Sequence, residues 1–175
     1  MKKILISLAL PLVMVLMVTP VLAQSALPFS TDLVADGRGE APVVGELSVA
    51  GDGTIVFAVN EAATAWLLDE THLYVGDVPP EKSAPGQFEY GNCDLGGVAS
   101  DEVVVDLAAY DLDGDGVVWI AAHAALIMEA GVDEVTGELL YAYESAWAQG
   151  EQSIGKGKNW ATCFSVVVPA AEPVL

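Results

Sequence analysis

The sequence predicts an all-β domain, an antiparallel β-sandwich of Ig-like or jelly-roll-like type, preceded by an N-terminal signal helix. Three observations carry this. Beyond residue 23 the apolar residues alternate along short runs, with a period of two rather than 3.6. Glycine, proline, Asp and Asn punctuate those runs. No strand-helix-strand spacing occurs, which removes the α/β classes and leaves layers of antiparallel strands.

The elements follow in chain order. Met1-Lys2-Lys3 is a basic start, residues 4–22 are apolar, and Val21-Leu22-Ala23 is a small-residue cleavage site. Residues 1–23 therefore read as a secretory signal peptide, with an uncleaved membrane anchor as the alternative; Pro11 and Pro20 weigh against a spanning helix. The residue directly after the cleavage site is Gln24 rather than a Cys that could take a lipid. Residues 24–42 read as a lead-in arm, 43–168 as the sandwich, and 169–175 as a tail. In Val43-Val44-Gly45-Glu46-Leu47-Ser48-Val49, Val43, Leu47 and Val49 share the inward face. Gly51-Asp52-Gly53 turns the chain into a second strand with Ile55, Phe57 and Val59 inward, which makes a hairpin. A strand through Thr71, Leu73 and Val75 presents Glu70, His72 and Tyr74 on its other side. A proline-rich loop over 76–87 leads to Phe88-Glu89-Tyr90, and Val103, Val105 and Leu107 alternate next.

The longest apolar run follows Asp111-Leu112-Asp113-Gly114-Asp115-Gly116. Val118, Ile120, Ala122, Ala124 and Leu126 form its core face, and Val117, Trp119, Ala121, His123 and Ala125 the opposite one. The Asp-rich turn aims three hard oxygen donors, Asp111, Asp113 and Asp115, at one centre, which suits calcium. The twelfth position of a helical calcium hand is Ala122 here, so a helical hand is excluded. A further ligand has to come from elsewhere, with Asp101, Glu102 or Asp106 as candidates. An acidic turn with no ion is the plainer alternative. Residues 139–148 and 160–168 supply the closing strands.

Charge limits the partners. Without residues 1–23 the chain has 152 residues, and four basic residues face 25 acidic ones, a formal charge of −21. Phosphate backbones and anionic lipid surfaces are repelled, so no nucleic acid and no membrane contact beyond the signal segment is expected; divalent cations and basic partners are favoured. In an oxidising compartment Cys93 and Cys163 are expected to pair as a disulfide.

Glu70, His72, His123 and Glu144 are the candidates for a polar surface site. A His pair with a carboxylate suits a transition metal, and two carboxylates suit glycoside cleavage. The sequence contains no serine nucleophile elbow, zinc-protease motif or phosphate loop. The expected role is non-enzymatic, an extracellular binding or structural, adhesive module whose partner is unidentified. The alternatives are a carbohydrate-binding module using Trp66, Trp119, Trp147, Trp160 and the tyrosines to stack glycan rings, or an enzyme built on the four polar residues.

Several blocks, in order, carry a resemblance: Thr31-Asp32-Leu33-Val34-Ala35, Glu70-Thr71-His72-Leu73-Tyr74-Val75-Gly76, Pro85-Gly86-Gln87-Phe88-Glu89-Tyr90, Ile120-Ala121-Ala122-His123-Ala124, Glu144-Ser145-Ala146-Trp147 and Asn159-Trp160-Ala161-Thr162-Cys163-Phe164. The chain resembles an uncharacterised β-sandwich domain family of secreted bacterial and archaeal proteins, over most of its length after residue 23. That family has Thr at the place of Ser145 and Tyr at the place of Cys163, so the resemblance does not imply the disulfide. It implies an extracellular module and no specific activity.

Overall fold

The computed structural model describes residues 25–35, 42–156 and 160–168. The signal peptide, its cleavage site and the tail lie outside the described residues. Among the described residues eleven strands form: β1 (Ser25–Ala26), β2 (Phe29–Ala35), β3 (Val43–Val49), β4 (Thr54–Val59), β5 (Leu67–Gly76), β6 (Tyr90–Asn92), β7 (Ser100–Val104), β8 (Val117–Val132), β9 (Leu139–Ala148), β10 (Gln152–Ser153) and β11 (Thr162–Val167). A one-turn helix, α1 (Glu61–Thr64), starts at Asn60, whose side chain accepts from the Ala63 N–H.

The all-β class holds. The strands join one mixed sheet in the order β1-β11-β8-β9-β2-β3-β4-β7, with β5 on the other edge of β8, β6 beside β5 and β10 beside β11. Only the β1–β11 pairing among these is parallel. β8 organises the sheet. One of its edges pairs with β11 at Val117 to Ile120 and then with β9 from His123 onward, while the other pairs with β5 from Trp119 to Ile127.

The sheet bends round so that its distant ends meet. Leu68 in β5 and Val98, just before β7, exchange backbone hydrogen bonds of 2.8 and 3.1 Å. Nearby, Thr71 Oγ1 donates to the Asp101 carboxylate. The inward side of the sheet carries the larger apolar core, with contributions from β2, β3, β4, β5, β8, β9 and β11. Each fully buried Val, Leu, Ile or Phe side chain there contributes roughly 1.5–3 kcal/mol through removal from water.

Local readings hold where alternation is undisturbed. The β3–β4 hairpin forms, with Val49 opposite Ile55. Val118, Ile120, Ala122, Ala124 and Leu126 are each fully buried in the core. β3 departs from its expected face, because Val44 is buried while Val43 is 51% exposed. The cause is a bulge: Leu33 pairs with Gly45 but Val34 with Val43, so Val44 is the extra residue and the alternation reverses there. The lead-in arm is also corrected. Among its described residues, Ser25–Ala26 and Phe29–Ala35 form β1 and β2, and β2 is an interior strand between β3 and β9.

Candidate functional site

Two places gather chemistry-bearing side chains: the acidic turn before β8 and the outer face of β8.

The acidic turn gains a member from outside. Asp77, directly after β5, lies with Asp111 and Asp113 so that one carboxylate oxygen of each falls within 4.8 Å of the others. Among the described residues this is the group of three or more acidic or soft side chains that converges as metal ligands would. Backbone N–H groups fix its geometry. Asp77 Oδ1 accepts from Leu112 N at 2.8 Å, and Asp111 Oδ2 accepts from Gly116 N at 3.1 Å. Gly114 and Gly116 take φ of +76° and +79°, which lets the loop turn this tightly without a Cβ penalty. Asp111 Oδ1 is shielded from water and has no hydrogen-bond partner. A carboxylate oxygen in that position is costly unless a cation meets it.

Asp115 does not join the group. Its Oδ1 accepts from Val117 N at 2.8 Å and caps the loop. Asp101, Glu102 and Asp106 supply no extra ligand to it either; Asp101 holds Thr71 and Asn92 instead. Of the expected Asp111, Asp113 and Asp115, the structure brings the first two together with Asp77.

The outer face of β8 carries the histidines. His72 and His123 stand directly opposite each other across β5 and β8, and Trp147 stands opposite His123 on β9. The row is aromatic and covered: the two imidazole centroids lie 5.5 Å apart, and Trp147 meets His123 edge-on at 5.0 Å. Phe88, from the loop after β5, packs on Tyr74 at 5.8 Å and Trp147 at 6.1 Å. Trp119 and Trp160 pack against the adjoining cluster of Ala121, Trp147, Ile154, Ala161 and Cys163. The loops between β5 and β6 and between β9 and β11 thus build a second, smaller core on the face that sequence alternation marks as non-core.

This burial sets the protonation. His72 Nε2 bonds Glu70 Oε2 at 3.0 Å. His123 is 8% exposed, its Nδ1 has no partner, and its pKa falls to about 4, first through burial and then through the charge of neighbouring His72. It is a neutral imidazole at pH 7. Glu144 is not part of the row. It pairs with Leu126, a core residue, so it lies on the opposite face of the sheet from Glu70, and its Oε1 accepts from Ser145 N. Glu70 and Glu144 consequently cannot flank one glycosidic bond, and Glu70, His72 and His123 do not converge as three ligands.

The cysteines are a further correction. Both are free thiols, Cys93 exposed and Cys163 buried. Cys93 follows β6, so β8, β5 and β6 separate it from Cys163 on β11. Three strand spacings amount to roughly 14 Å, beyond the reach of a disulfide. Burial first and Glu151 second push the Cys163 thiol up to about 12, which keeps it protonated and unreactive. The four tryptophans offer no exposed glycan shelf: Trp147 is buried and Trp66, Trp119 and Trp160 are half-buried against the two cores.

The sequence matches no protein-family model and no curated protein, and no solved structure matches the fold.

Proposed function

We propose that this chain is an exported β-sandwich-like module with a binding or structural role rather than a catalytic one, stabilised by calcium at Asp77, Asp111 and Asp113. The carrying observation is the convergence of carboxylates from two distant segments around a shielded, unpartnered Asp111 oxygen. Hard oxygen donors on a short turn are calcium's preferred ligands, and a cation removes the repulsion among three anions. The formal charge of −21 after residue 23 favours the same ion. The basic and apolar start of the chain, together with the family resemblance, supports export. No helix among the described residues is long and apolar enough to cross a membrane.

Calorimetric titration of the chain lacking residues 1–23 tests this reading. Calcium should bind with a dissociation constant of about 10⁻⁴–10⁻³ M, the range of extracellular modules, and Asp111→Asn should abolish the heat. Absence of binding up to ~10 mM in the unaltered chain would refute it.

A further inference from the structure

We propose that the outer half of the β8–β9 hairpin is a docking arm for a basic, apolar β-strand of a partner protein, which pairs alongside β8 where β5 ends. This rests on the non-catalytic binding role above, though not on the calcium site.

The arm is a consequence of unequal strand lengths. β5 pairs with β8 only as far as Ile127, and β2 pairs with β9 only at Ala146 to Ala148. Residues 128–132 of β8 are then hydrogen-bonded to β9 alone among the described residues. An edge with unpaired N–H and C=O groups is a template for strand addition.

The side chains of the hairpin around this edge are unusual for an exposed element. Val132, Val135, Leu139, Leu140, Tyr141 and Tyr143 are 45–93% exposed, and they are six of the eleven exposed large hydrophobic residues described. Leu139, Tyr141 and Tyr143 alternate onto one face of β9, with Val132, Glu129 and Ile127 respectively as their cross-strand neighbours on β8. Tyrosines and aliphatic groups in such a row suit a protein partner: they give contact area at little cost in side-chain entropy.

Charge selects the occupant. Glu129, Asp133, Glu134 and Glu138 surround the row, and no Lys or Arg occurs between Lys82 and Lys156. A second copy would bring like charge against like, as would an anionic membrane. Carboxylates of this kind, with the bulge between Glu129 and Gly131, guard an edge against self-pairing while leaving it complementary to lysine and arginine.

The test uses a fluorescent peptide alternating Lys with Val and Leu, and a counterpart with Glu in place of Lys. Binding to the chain lacking residues 1–23 is read by anisotropy at physiological ionic strength, with calcium and separately with chelator. The Lys peptide should bind under both conditions and the Glu peptide should not. The exposed-residue variant Glu129→Lys/Val132→Ser, both on the free stretch of β8 and checked for native circular dichroism, should weaken Lys-peptide binding about tenfold, equivalent to ~1.4 kcal/mol. Unchanged affinity in that variant, no binding of the Lys peptide, or a self-associated chain whose dimer the variant dissolves would each overturn the proposal. The calcium reading is decided separately by its own titration.

Discussion

The two faces of β8 come from one strand, yet they are made differently. The inner face is aliphatic and fully buried through Val118, Ile120, Ala122, Ala124 and Leu126. The outer face buries Ala121 and His123 and half-buries Trp119, under loops rather than under another layer of the sheet. The inner face is stabilised by removal of carbon from water and tolerates no gap. The outer one accepts an imidazole nitrogen without a partner and an aromatic row closed by Phe88. Alternation alone distinguishes core from non-core on a strand; it does not distinguish a wet face from one roofed by distant loops.

The largest expected effect breaks the inner face. Ile120→Ala should destabilise by about 2–5 kcal/mol, because the fully buried site leaves a cavity. Trp119→Ala on the outer face should cost less, since that side chain is half-exposed. Urea midpoints with an unchanged slope measure both. Equal losses would mean that the two faces are one core.

Acid should act on the outer face. Folded His123 holds its pKa near 4, below the ordinary 6.5, so the unfolded chain takes up the proton first as pH falls. The stability linked to the neutral ring is full above about pH 6.5 and is lost progressively down to about pH 4, by roughly 3 kcal/mol. In His123→Leu that part of the pH dependence should vanish, while the slope due to carboxylates remains. Identical pH profiles of stability in the two proteins would show that the imidazole is solvated in solution.

Much of this was legible in the chain, and the failures share a cause. The β3–β4 hairpin, the β8 core face and the placement of His72 and Glu70 on one side follow from period-two alternation, which is local. β2 was legible too, since Phe29, Thr31, Leu33 and Ala35 alternate, but its polar residues Ser30 and Asp32 resemble those of a loop. Val44 was not, because a bulge depends on the partner strand. Nor were the Asp77 contribution to the acidic turn, the separation of Cys93 from Cys163, or the place of Glu144 on the core side. Each of these depends on which strands are neighbours and in what register, and pairing between distant segments leaves little trace in local pattern.

The claim on which the functional account turns is that Asp77, and not Asp115, completes the acidic turn as a cation site. Thermal melting with calcium and with chelator tests it in the unaltered chain and in Asp77→Asn and Asp115→Asn. Either amide keeps an oxygen for the local backbone hydrogen bonds but removes the charge. At about tenfold excess over the dissociation constant, calcium should add roughly 1.4 kcal/mol and raise the midpoint by about 3–6 °C. The shift should survive in Asp115→Asn and disappear in Asp77→Asn. A midpoint indifferent to calcium in the unaltered chain, or a shift lost with Asp115 and kept without Asp77, would contradict the account.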